Sequence, residues 1–325
     1  MLPLMTWAVE RKADICAIGP RMEDPGFSVS AEVKGLVARN TGVSDHGRLE
    51  VVRVAGWERF GWLRHGFSTR KGGVSKVYGE DSFGCGTLNL GWTKEDDPAL
   101  VAENRRRFLH GVCGQDDGSV LVGVRQIHSD VVRVVKVGDG ALEGRLQTAE
   151  GKAVLEGDGL MTNVPGILLG VGTADCVPVL VVDVQKRVVA AFHAGWRGTV
   201  ARIVEFGVAK MTEEYGSRVE DLVAAVGPSI GACCYAVGEE VRKEFERKFE
   251  YGSSLFRPRE SGEMRLDLWE ANRLQLLDAG LDEMRIAVVG ECTGCARDVS
   301  GALRYFSHRG EKGVAGRMLN VVGLS

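Results

Sequence analysis

The strongest constraint on this chain is one stretch, Thr173 to Gly198, which reads TADCVPVLVVDVQKRVVAAFHAGWRG. Two apolar runs, VPVLVVD and RVVAAFH, flank the turn Val184-Gln185-Lys186. That pattern predicts a β-hairpin. Antiparallel pairing brings Cys176, at the head of the first run, and His193, at the foot of the second, to the same open end. A soft thiolate beside an imidazole is either a pair of metal ligands or a nucleophile with its base. Beyond His193, the spacing of Val200, Ile203, Val204, Val208 and Met211 predicts a helix, with Gly216 at its C-cap. The free N–H groups and positive end of that helix would then face whatever His193 faces.

The bulk numbers bound the class. With 325 residues the chain can form one large domain or two modest ones, and 44% hydrophobic with 26% charged residues is ordinary for a globular protein. A net charge of −3 gives no reason to expect a nucleic-acid or anionic-membrane partner. The opening MLPLMTWAVERK meets charge too early for a signal-peptide core. No apolar run approaches the ~20 residues of a membrane span. Eight cysteines in such a chain are expected to be reduced thiols or ligands rather than a disulfide framework, and the protein is expected to be cytoplasmic.

Residues 1 to about 48 have no clear periodicity and read as an N-terminal extension, with the domain running from about residue 49 to 325. Val51 to Arg70 alternates as one or two strands, followed by Lys71-Gly72-Gly73. The amides of Gly72 and Gly73 can point at an anion, or simply make a turn. Asp97-Pro98 opens a helix with Ala99, Val101, Ala102 and Phe108 on one face and Asn104-Arg105-Arg106-Arg107 on a solvated one. SVLVGVRQIHSDVVRVVKVG reads as strand, break, strand, with Gln126 and His128 at the break. Further strands are GLMTN after Asp158, ILLGVGT, DLVAAVGP and MRIAVVG, the last clear one; helices run from Val237 to Phe249 and from about Leu266 to Ala279. The basic, glycine-rich tail YFSHRGEKGVAGRM either binds an anion, with Arg309 as a candidate phosphate contact, or closes the domain.

His128, Cys176 and His193 therefore share a context, each standing at a strand end beside a turn. A Cys/His/His donor set suits zinc, and three protein ligands leave a fourth position open, as catalytic zinc sites do. In order along the chain, RQIHSDVV, DGLMT, TADCVPVL, HAGWRG, GPSIGACCYAVG and YFSHRG resemble the laccase-domain family. HGFSTRKGGVS, LNLG and the following Asp-Asp-Pro and Glu-Asn-Arg elements fit as well, so the resemblance spans about Gly56 to the C-terminus. That family was long labelled multicopper polyphenol oxidase and is now regarded as purine nucleoside phosphorylases with adenosine deaminase activity. The resemblance implies a mixed α/β fold with sheets between helices, and a catalytic zinc on His128, Cys176 and His193. It implies that Arg70 contacts substrate or phosphate; Gly72, Gly73 and Arg197 are further candidates for holding phosphate. It implies phosphorolysis of adenosine, inosine, guanosine or methylthioadenosine, with deamination of adenosine as a second activity. Two positions depart from the family pattern: Ser129 follows His128 where glycine is common, and His308 follows Ser307 where arginine or tyrosine is frequent.

Three other readings compete. A multicopper oxidase needs many histidine ligands, whereas this chain has six histidines and no His-X-His pair, so copper is expected only as an adventitious occupant. A metal-free hydrolase would use Cys176 as nucleophile and His193 as base. A structural zinc on Cys233, Cys234, Cys292 and Cys295 is disfavoured, because adjacent residues of an extended chain point to opposite sides. These four are expected to be buried thiols.

Overall fold

The computed structural model describes residues 37–40, 49–80, 84–114 and 118–325. Two six-stranded sheets carry the architecture. The first runs Val37–Asn40, Val51–Val54, Leu63–Ser68, Met318–Leu324, Ile167–Thr173, Val120–Gly123. The second runs Ile286–Val288, Leu222–Val226, Val177–Asp183, Val188–Ala194, Gly159–Thr162, Val132–Val135. Both mix parallel and antiparallel neighbours, for instance Val120–Gly123 parallel to Ile167–Thr173 and Met318–Leu324 antiparallel to it.

The side-chain period of two explains how the sheets stack. From Val177–Asp183, Leu180 and Val182 enter one core together with Leu169, Val171 and Val322 of the first sheet. Val177, Val179 and Val181 enter another, against Ile203, Val204, Val208, Leu268 and Leu276 from the helices Ile203–Tyr215 and Leu268–Asp278. On the far side of the first sheet, Leu121, Leu168, Leu319 and Val321 pack on Phe108 and Val112 of the helix Pro98–Cys113. The result is a mixed α/β domain of four layers, helix, sheet, sheet, helix. Strands covered on both faces are continuously apolar, which is why VPVLVVD lacks alternation.

The hairpin forms as expected, with Val177 opposite Ala194 and Pro178 opposite His193. Four expectations need correction. MRIAVVG is not the last strand: Met318–Leu324 follows it and lies in the middle of the first sheet, between Leu63–Ser68 and Ile167–Thr173. The helix after His193 is two pieces, Trp196–Val200 and Ile203–Tyr215, broken where Arg202 takes a left-handed φ of 62°. Gly216 caps the second piece at φ 64°. Asn104 is fully buried rather than solvated. It accepts from Val74 N–H at 2.8 Å and donates to Asn89 O at 2.9 Å and Ser75 Oγ at 2.8 Å, which satisfies its amide away from water. Its neighbour Arg105 stacks over Trp92 at 4.7 Å and donates to Leu90 O, while Ala102 is exposed. Most of the proposed N-terminal extension lies outside the described residues; within it, Val37–Asn40 pairs with Val51–Val54 as an edge strand. Among the described residues no helix is long and apolar enough to cross a membrane.

Candidate metal centre

His128 sits in the break between two strands, and its backbone is left-handed at φ 59°. Asp158 explains how that conformation is held. Its carboxylate, fully buried at the head of Gly159–Thr162, accepts three consecutive backbone N–H groups: Ile127 at 3.2 Å, His128 at 3.0 Å and Ser129 at 2.6 Å. The Ser129 hydroxyl donates to it at 2.8 Å. The Nδ1–H of His193 completes the set, donating at 2.8 Å. One carboxylate thus fixes the His128 loop and the His193 ring together, leaving Nε2 of His193 for Cys176. In the sequence Asp158 shows only as the residue opening a strand; an acid directly before a buried strand is the available signal.

The donor atoms of His128, Cys176 and His193 lie within 4.8 Å of one another. The two imidazole rings stand 5.0 Å apart at 76°. His128 is exposed and His193 buried, so the group opens to one side. Burial raises the Cys176 thiol, but His193 and His128 beside it prevail and bring it down to about 6. Burial depresses His193, yet Cys176 and Asp158 carry it up to about 9. Without a cation these groups form a thiolate–imidazolium pair; with one, they are two nitrogens and a soft sulfur of the kind zinc binds. Gly195 roofs the group. A Cβ there would stand 2.9 Å from Cys176 Sγ and 3.2 Å from His128 Cδ2, so only glycine leaves the space open. An imidazole oriented by a buried carboxylate is the usual support of a histidine ligand. The residues therefore fit a metal ion.

Beyond Gly195 the chain turns into Trp196 and Arg197, which line a cleft of about 430 Å³ with Tyr235, Gly238, Glu240, Glu263 and Arg309. Arg309 lies over the Tyr235 ring at 5.4 Å and donates to Ala236 O at 2.7 Å. Burial, with Cys176 and Asp175 nearby, holds the Tyr235 phenol up at about 12. Asp175 sits at φ 91° and accepts from Thr293 Oγ1 at 2.7 Å and from Arg309 N–H at 2.6 Å, tying two loops to the residue before Cys176. Trp196–Val200 is too short to act as a helical anion site.

Arg70 stands apart from the cleft lining. It donates to Glu311 at 3.2 Å and Tyr78 O at 2.7 Å and lies over Phe306 at 4.8 Å. Glu311 accepts in turn from Ser307 N–H at 2.9 Å, so Arg70 braces the loop carrying Arg309. Gly72 and Gly73 are buried; a Cβ on Gly73 would meet Thr87 O at 2.1 Å, so close backbone approach demands glycine there. The four remaining candidate thiols contradict the expectation. Cys233 is exposed, Cys292 is buried, and all four sulfurs gather within 4.8 Å, because residues 232–234 form a turn rather than a strand.

Comparison with known proteins gives the family. Residues 64–325 match the family described as multi-copper polyphenol oxidoreductase laccase. The chain belongs to that family. A purine nucleoside phosphorylase of Bacteroides thetaiotaomicron is 34% identical over 273 residues, 82% of this chain and 95% of the relative. An adenosine deaminase, RL5, from an unknown prokaryotic organism is 41% identical over 201 residues, 61% of this chain and 74% of the relative. The crystal structure of YlmD from Geobacillus stearothermophilus superposes with a TM-score of 0.72 at 32% identity, covering 88% of this chain and 99% of that one. This family member is a purine nucleoside phosphorylase-like enzyme.

Proposed function

We propose that the chain phosphorolyses purine nucleosides to the free base and ribose 1-phosphate, deaminates adenosine as a second activity, and uses zinc held by His128, Cys176 and His193. The observation that carries this reading is the three-donor group roofed by Gly195, next in the chain to Trp196 and Arg197, which with Arg309 line a cleft. A zinc held by His128, Cys176 and His193 would supply Lewis acidity. Asp158 holds His193 in the tautomer a ligand needs. Arg197 and Arg309 offer charge-assisted donors to inorganic phosphate, whose dianion needs more than one such partner. Glu240 and Glu263 offer acceptors for ribose hydroxyls. The Tyr235 face stacks a purine, and its phenol stays protonated at neutral pH. Arg70 acts by bracing the Ser307–Glu311 loop through Glu311, and Gly73 by letting the backbone approach Thr87 closely. The described cysteines are free of disulfides, which suits a reducing cytoplasmic setting.

The test incubates the purified protein with inosine or adenosine, with and without phosphate, and separates products by chromatography. Free base that appears only with phosphate is expected. Base release independent of phosphate, or none at all, sinks the proposal. A second reading has a specific support: Cys176 bonded to His193, and His193 to Asp158, make a Cys-His-Asp hydrolase arrangement in space. Inactivation by a thiol alkylator with full resistance to chelation favours that reading.

A further inference from the structure

We propose that Cys233, Cys234, Cys292 and Cys295 form a second metal site, a closed tetrathiolate for a soft divalent cation of the zinc class. It stands independently of any nucleoside chemistry. The four sulfurs come from two loops distant in sequence yet lie within 4.8 Å of one another, with Cys233 Sγ and Cys295 Sγ 3.5 Å apart and no disulfide among them. Cys292-Thr293-Gly294-Cys295 has the two-residue spacing of a zinc knuckle, and it makes the matching turn: Cys295 N–H points to Cys292 O at 3.3 Å and Ala296 N–H to the same oxygen at 2.8 Å. Gly231 N–H donates to Cys292 Sγ at 3.2 Å, the support a ligating thiolate receives from backbone.

Two further features look built for the cluster. A Cβ on Gly294 would stand 3.0 Å from Cys234 Cβ and 3.3 Å from its sulfur, so glycine keeps the two loops close enough to share a ligand shell. Ser229 and Cys292 pair as a parallel bridge, with Thr293 N–H on Ser229 O at 3.0 Å, which clamps the loops in register. Four thiolates repel unless a cation sits among them, and four protein donors leave no open corner. The site is therefore structural. What it secures is the cleft wall: Thr293, inside the knuckle, donates to Asp175 beside Cys176, and Tyr235 and Ala236 directly follow Cys234 and hold Arg309.

Metal content of the full chain, purified with zinc in the medium, tests this. A His128→Ala/Cys176→Ala variant disables the three-donor group without touching the quartet. It is expected to retain about one zinc per chain, and adding Cys292→Ser/Cys295→Ser should remove it. Because the fourfold variant can misfold, the His128→Ala/Cys176→Ala protein is also loaded with cobalt. Thiolate-to-cobalt charge-transfer absorption is then expected, together with protection of four thiols from alkylation until a chelator is added. A His128→Ala/Cys176→Ala protein that is folded but metal-free, with these thiols freely alkylated or joined as disulfides, overturns the proposal.

Discussion

Replacing Asp158 by Asn isolates the carboxylate that joins the two histidines. The side chain keeps its size but loses its charge and one of two acceptor oxygens. Five donors converge on it: three backbone N–H groups, the Ser129 hydroxyl and His193 Nδ1–H. If the amide oxygen replaces the atom facing Ile127 and Ser129, the new NH₂ faces His128 N–H and His193. At least one buried backbone donor is then orphaned and one charged hydrogen bond is lost, worth about 3 kcal/mol in total. An independent route gives a similar figure. Burial raises the Asp158 carboxyl, but His193 and Ser129 pull it down to about 2 from 3.8, which corresponds to about 2 kcal/mol favouring the ionised form in the folded protein. In urea unfolding of metal-stripped protein, the variant's unfolding free energy should be lower by about that amount, with the slope unchanged. His193 should also change tautomer, presenting Nε2–H to Cys176, so zinc affinity should fall about 10- to 100-fold. A stability loss below about 0.5 kcal/mol with undiminished zinc binding would refute the assignment of Asp158 as the hub.

Three further outcomes are expected. Cys176→Ala should remove turnover and the zinc of the three-donor group while circular dichroism reports an intact fold. Gly195→Ala places a methyl against Cys176 Sγ and His128; it should cut zinc affinity at least tenfold in equilibrium titration, with far-ultraviolet spectra unchanged. His65 is buried, accepts from Val54 N–H at 3.1 Å, and is lowered to about 3 by burial and then by the Arg53 guanidinium. Because the unfolded chain binds a proton near 6.5 that the folded one refuses, stability is full above that value and falls as pH drops toward 3. Between pH 7 and 5 the loss is about 2 kcal/mol, read as the difference between wild type and His65→Gln in denaturant titrations.

Much of the architecture was legible because buried strands and amphipathic helices leave simple periods. Two apolar runs around a polar turn predict the Cys176–His193 hairpin, and the helix Leu268–Asp278 lies within the span expected from about Leu266 to Ala279. Failures occurred where tertiary contacts overrode local pattern. Arg202 breaks a helix whose apolar period runs straight through it. Asn104 looked solvated because a buried amide is tolerated only where distant backbone satisfies it. MLNVVGL was hidden by the glycine-rich segment before it and by lacking polar alternation. The role of Asp158 and the gathering of four cysteines depend on loop geometry, which short-range sequence does not carry.

The position of Met318–Leu324 also governs the order of assembly. Leu63–Ser68 and Ile167–Thr173 are not neighbours; the inner edge of each pairs with Met318–Leu324, which follows both along the chain. During synthesis both wait with unpaired edges facing a gap, exposed to capture by other chains. Refolding should accordingly be slow and concentration-sensitive, and an isolated Met318–Leu324 peptide added in trans should compete for the vacancy.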